Sequence, residues 1–181
     1  MKVNLLFLSK GNFMSQTQTK MPVMPCWDWM MQDPIRVLGL GFGTGLAKGA
    51  PGTVGSLPAF FISGLFLGLG MSHTYLFLLS LVLFAAGVWI CNEMDRELGV
   101  HDHKSVVWDE FVAMMMVLAC TPPGLGWWLL ALLVFRLFDI FKPQPVKWAD
   151  EKVAGGLGVM LDDGIAGVCT IVVVQALHLF F

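Results

Sequence analysis

Two uncharged apolar runs, Val54 to Met71 and Tyr75 to Asn92, constrain this chain more than any other feature. A helix of about 20 mostly apolar residues crosses a bilayer. Only Ser72-His73-Thr74 separates the two runs, so they should form an antiparallel helical hairpin. Phe111 to Thr121 is a third apolar run, but only about half a span. It reaches a usable length if it begins near Val106 and carries Asp109 and Glu110. Pro122-Pro123-Gly124 then breaks the chain. Leu125 to Phe141 is a fourth run, with Arg136 and Asp139 near its end. Ile165 to Phe181 is a fifth, with Asp162 and Asp163 at its entry. The runs are too long for strands, and no alternation of period two spans them. The expected fold is all-α: a compact multi-helix bundle, integral to the membrane, with about four to five apolar helices.

Composition narrows the function classes. Apolar residues make up 56% of the chain and charged residues 13%. Soluble domains run nearer 45–50% and roughly 25%. No basic excess is present to neutralise phosphates, which excludes a nucleic-acid partner. Cys26, Cys91, Cys120 and Cys169 are spread widely, and three lie in apolar runs, so a disulfide scaffold is excluded. Residues 1–33 are polar and Met-rich, and Leu5 to Leu8 is too short for a signal-peptide core of about 7–15 residues. They read as a flexible N-terminal extension, and 34–181 as the helical domain.

Lys and Arg mark cytoplasmic loops. They precede the first run, separate the second from the third, and separate the fourth from the fifth. The other two connections, Ser72–Thr74 and Pro122–Gly126, carry none. The N-terminus is therefore expected inside. Four polar clusters then converge on that face: Gly41–Ser56, His101–Glu110, Arg136–Pro145 and Gly155–Gly164. Such convergence suits a site that handles a polar group at the cytoplasmic interface.

The first cluster is rich in glycine, which lets backbone N–H groups approach an anion. Thr44, Thr53 and Ser56 offer hydroxyls, Lys48 adds charge, and Gly55 and Ser56 open a helix. It has neither the Walker A spacing nor the strand of a dinucleotide fingerprint, and a glycine-rich turn that merely starts a helix would read the same. In the second cluster Asp109 and Glu110 begin an apolar helix. An ionised acid at the bilayer centre costs roughly 2.5–3.5 kcal/mol on insertion scales, so such acids face a partner or a metal. The macrodipole explains one acid there better than two. His101 and His103 read more readily as solvated loop residues than as ligands. In the third, Arg136, Asp139 and Lys142 recur every three residues along one helix face. They make either an internal ion-pair chain or a phosphate clamp. In the fourth, Asp162 and Asp163 form a second acidic pair. Carboxylates, phosphate oxygens and water are the usual ligands of Mg²⁺.

The segments GFGTGLAKGAPGTVGSL, HDHKSVVWDEF, FRLFDIFKPQPVKWAD and GGLGVMLDDGIAGV, in that order, resemble the phosphatidylglycerophosphatase A family of bacteria. The resemblance covers roughly Pro34 to the C-terminus and rests on Trp-Asp-Glu-Phe, Phe-Asp-x-x-Lys-Pro and Asp-Asp-x-x-Ala-Gly. It implies an all-α bundle in the bacterial cytoplasmic membrane, its active site facing the cytoplasm. The implied reaction is Mg²⁺-dependent removal of the terminal phosphate of phosphatidylglycerophosphate, giving phosphatidylglycerol. The family's motif positions fall on Asp109, Glu110, Asp139, Lys142, Asp162 and Asp163, with Thr44, Pro51, Gly52, Thr53, Gly55 and Ser56 in the loop. Catalysis is thus expected from Asp109, Glu110, Asp139, Asp162 and Asp163. Metal binding is expected from Asp109, Glu110, Asp162 and Asp163, and substrate binding from Thr44, Gly52, Thr53, Ser56, Arg136 and Lys142. Other phosphatase chemistries fit poorly. A Cys-x5-Arg motif fails, since Glu97 stands at that distance from Cys91 and Arg96 is one short. The alternative is a small ion or proton transporter subunit using the same acids as its path.

Overall fold

A computed structural model of the chain describes residues 24–180, whose regular structure is entirely helical. The helices are α1 (Trp27–Met30), α2 (Pro34–Gly39), α3 (Pro51–Gly68), α4 (His73–Leu98), α5 (Trp108–Ala119), α6 (Leu125–Phe141), α7 (Val146–Lys152) and α8 (Gly155–Phe180), with a 3-10 segment over Gly41–Leu46. Local chemistry sets several ends. The Asp33 carboxylate accepts from Ile35 N at 2.7 Å and Pro34 takes the first helical position of α2. The Ser72 hydroxyl accepts from Tyr75 N at 3.3 Å at the start of α4, and Gly99, at φ 71°, ends it.

Three helices, α3, α4 and α8, are long and apolar enough to cross a membrane. α3 and α4 follow one another through a short turn with Gly70 at φ 92°, but each packs on α5 far more than on the other, so the expected hairpin is splayed around α5. The half-span run forms α5, and every residue of it except Glu110 is buried. A helix that is apolar on all sides belongs inside a bundle. At about 18 Å it need not face lipid along its length, because α3, α4 and α8 pack around it. The fourth run forms α6. These five apolar helices make this a membrane protein.

The fifth run differs from the expectation. Its helix starts at Gly155, so Asp162 and Asp163 lie two turns inside α8 rather than at its entry. The glycine-rich stretch is helix because it lies flat on α4. A Cβ at Gly156 would strike Val88 O, and Gly156 N donates to Asn92 Oδ1 at 2.7 Å. The short helix α7 was not expected. It packs on α8 through its surroundings of buried Val146 and Ala149. Residues 24–33 of the expected extension include α1, whose Met30 is buried, while residues 1–23 lie outside the described residues.

All 13 Asp and Glu residues of the chain lie in or beside α1 and α2, at the end of α4 and the loop after it, at the start of α5, at the end of α6, in α7 and in the first turns of α8, toward one end of the bundle. At the opposite end, the α3–α4 and α5–α6 turns carry no Asp, Glu, Lys or Arg.

Candidate active site

The charged end encloses a cavity of about 400 Å³. Its walls are Gly49–Thr53 before and within α3, Asp102, Lys104 and Val106 before α5, the first turn of α5, the end of α6, and Asp162 and Asp163. The backbone places α5 firmly. Val107 N donates to Gly39 O at 2.9 Å, and Trp108 Nε1 donates to Leu83 O at 3.4 Å. Asp109 and Glu110 therefore sit in a fixed first turn, where the helix dipole favours negative charge.

Asp109, Glu110 and Asp163 each offer one carboxylate oxygen, and these oxygens lie within 4.8 Å of one another. Asp109 Oδ1, Glu110 Oε2 and Asp163 Oδ2 are buried without a hydrogen-bond partner. Three crowded, desolvated carboxylates with spare lone pairs repel one another unless a positive charge joins them. The donor set is all oxygen and all acidic, which fits a hard divalent cation. Asp162, expected as a fourth ligand, is engaged elsewhere. Its Oδ2 lies 2.6 Å from Lys142 Nζ and its Oδ1 accepts from Asp163 N at 2.9 Å.

The cations are held just as firmly. Arg136 Nη1 lies 2.7 Å from Asp139 Oδ2, one turn along α6, and 3.6 Å from Glu110 Oε1. Its Nε is buried and unpartnered. Lys142 caps α6 at φ 41° and reaches both Asp162 and Asp150. Burial alone would lower its pKa, but the hydrogen bonds and charges of Asp150 and Asp162 outweigh it and hold the ammonium well above its usual range. Burial pushes the Asp102 carboxyl upward, against the pull of Lys142 and His101.

The loop residues divide. Gly52 is indispensable on steric grounds, since a Cβ there would strike Glu110 Oε1 and come within 2.9 Å of Arg136 Nη1. Thr53 lines the cavity. Thr44 and Ser56 do not. Their hydroxyls donate to backbone carbonyls, Thr44 to Gly41 O at 2.6 Å and Ser56 to Gly52 O at 2.9 Å. His101 pairs with Asp95 outside the cavity. Asp102, Lys104 and Asp150 were missed. The first two stand in the polar HDHKS segment, where only the two His drew attention. Asp150 lies eight residues beyond Lys142, a separation that becomes a contact only once α7 folds back.

The arrangement is an acidic pocket with room for a cation among its carboxylates, flanked by Arg136 and Lys142 and by the N-terminus of an 18-residue helix. It can hold a doubly charged oxyanion between the cation and these donors. Comparison with known proteins bears on the same residues. The family model described as Phosphatidylglycerophosphatase A matches residues 37–178. A Haemophilus influenzae protein of that name is 43% identical over 148 residues, covering 81% of this chain and 90% of its own. An Escherichia coli protein of the same name is 40% identical over 139 residues, covering 76% and 80%. A Bacteroides thetaiotaomicron protein, provisionally named a phosphatidylinositol-3-phosphatase, is 36% identical over 144 residues, covering 76% and 89%. No solved structure gives a significant match.

Proposed function

This chain belongs to the phosphatidylglycerophosphatase A family and is a phosphoric monoester hydrolase, and we propose that it converts phosphatidylglycerophosphate to phosphatidylglycerol with Mg²⁺ as cofactor, at the cytoplasmic face of a bacterial inner membrane. One observation carries the reading. Three buried carboxylates with unpartnered oxygens stand beside Arg136 and Lys142 at the charged end of apolar helices. The bilayer keeps the diacyl part of the lipid, and the cavity receives its phosphorylated head.

Asp109, Glu110 and Asp163 would hold the cation. When bound, Mg²⁺ supplies positive charge to the phosphate oxygens and to the charge that develops on them during transfer. Arg136, aimed by Asp139, donates to the phosphate through the nitrogens left free. Asp162 and Asp150 fix Lys142 so that its third donor points at the same group. Gly52 lets the start of α3 close on the site, and the backbone N–H groups of Gly52 and Thr53 add donors at a helix N-terminus. Water attacks phosphorus in line. The new P–O bond forms as the bond from phosphorus to the terminal glycerol oxygen breaks; the attacking water gives up one proton, the leaving glycerol oxygen takes up one, and the products are the alcohol and hydrogen phosphate. The ion-path alternative needs acids along the helices, whereas these gather at one end.

The test is phosphate release from phosphatidylglycerophosphate in detergent, with Mg²⁺ and with EDTA, wild type beside Asp109→Asn. Release should need both the metal and Asp109. Well-folded protein that releases none under any condition would overturn the reading.

A further inference from the structure

A second cavity, of about 510 Å³, adjoins the first and shares Gly49, Pro51 and Lys104 with it. Its chemistry is the opposite. Lys48, Lys104 and His103 line it, and no acid does. Most cations of the described residues are paired: Arg36 with Glu97, Arg96 with Glu93, Arg136 with Asp139, Lys142 with Asp162 and Lys147 with Glu151. Lys48, Lys104 and Lys152 have no ion pair among the described residues, and two of these three line this one cavity. His103 Nδ1 accepts from Ser105 N at 3.2 Å, so in the neutral ring the proton sits on Nε2, which is left as a donor. The two loops that carry these groups are fastened together. Gly45 lies so close to Ser105 O that a Cβ there would collide with it. The result is a built concave set of donors with no internal counter-ion.

The substrate proposed above carries two phosphorus groups, a terminal monoester and the diester that joins its glycerol units. We infer that the second cavity binds the phosphodiester of the lipid substrate through Lys48, Lys104 and Nε2 of His103 while the acidic cavity holds the monoester. Lys104, on the shared wall, lies between the two anions. The inference rests on that substrate reading and adds a discriminator to it. A lipid with a single phosphate fills only one of the two cavities, so it loses the second set of charge-assisted contacts.

The product phosphatidylglycerol keeps the diester and lacks the monoester, whereas inorganic phosphate resembles the monoester alone. Inhibition by each therefore reports one cavity. The experiment measures kcat and KM on phosphatidylglycerophosphate in mixed micelles, with inhibition constants for phosphatidylglycerol and for inorganic phosphate. It compares wild type, Lys48→Gln, Lys48→Arg and His103→Gln. Lys48→Gln should raise KM and the phosphatidylglycerol inhibition constant about tenfold, the scale of one charged hydrogen bond. Its kcat and phosphate inhibition should stay within about twofold, and Lys48→Arg should restore most of the loss. His103→Gln should act in the same direction. Unchanged KM and product inhibition in both variants would overturn the inference, as would a fall in kcat alone. A wild-type protein that releases no phosphate from this lipid would instead overturn the substrate reading, which is a separate result.

Discussion

Gly52, at the start of α3, lies against Glu110, at the start of α5, with no room between them for a methyl group. The same position faces both terminal nitrogens of Arg136, at 2.9 and 3.0 Å. Gly52→Ala must therefore push the acid and the guanidinium apart. The expected result is a fall in kcat of at least about tenfold, equivalent to about 1.4 kcal/mol of transition-state binding. Far-UV circular dichroism should stay near wild type, since alanine suits a helix. Normal activity in this variant would show that Glu110 and Arg136 need not hold their observed positions.

The carboxylates of Asp109, Glu110 and Asp163, proposed to hold the cation, repel one another when none is bound. Asp163→Asn removes one charge from that group. Without divalent metal, this variant should melt at a higher temperature than wild type. Adding Mg²⁺ should raise the melting temperature of wild type and leave that of Asp163→Asn nearly unchanged. A thermal titration in detergent reads both effects independently of turnover. Equal Mg²⁺ responses would count against Asp163 as a ligand.

His101 donates to the carboxylate of Asp95, and this hydrogen bond raises its pKa above the ordinary 6.5. The folded state therefore favours the charged imidazole. The stabilisation is complete below pH 6.5 and is lost as pH rises through the folded-state value. His101 is largely exposed, so solvent screens the pair and the effect should be no more than about 1 kcal/mol. Melting temperatures from pH 5.5 to 9 should fall more steeply for wild type than for His101→Gln. Parallel curves would remove the pair as a contributor.

Orientation can be read from thiol labelling. Cys26 is exposed near the charged end, and Leu69 is exposed at the opposite end. With the site facing the cytoplasm and Cys120 replaced by Ser throughout, an impermeant maleimide applied to intact spheroplasts should modify Leu69→Cys in a Cys26→Ser background. Cys26 should react only after permeabilisation. The reverse pattern would turn the protein over in the membrane.

The sequence made the apolar helices legible because length and lack of charge act locally. The start of α8 was not legible. Gly155-Gly156-Leu157-Gly158 carries the signature of a loop, and only the surface of α4 turns it into helix. The acidic pairs announced the site, yet their roles split for a reason beyond any motif. Asp163 turns toward Asp109 and Glu110, while its neighbour Asp162 turns toward Lys142. The same holds for the hydroxyls. Thr53 borders the cavity, whereas Thr44 and Ser56 satisfy backbone carbonyls of their own loop and helix. Residue type and spacing named the candidates, and packing chose among them.

The uncharged turns of the α3–α4 and α5–α6 hairpins have a consequence for biogenesis. With the site facing the cytoplasm, the segments that cross the bilayer ahead of these helices are the turns Leu69–Ser72 and Cys120–Gly124. Neither contains a group that must shed a full ionic hydration shell on the way. The membrane voltage acts on displaced charge, at about 2.3 kcal/mol per elementary charge per 100 mV. With no charge in transit, the voltage would neither drive nor oppose the crossing of either turn.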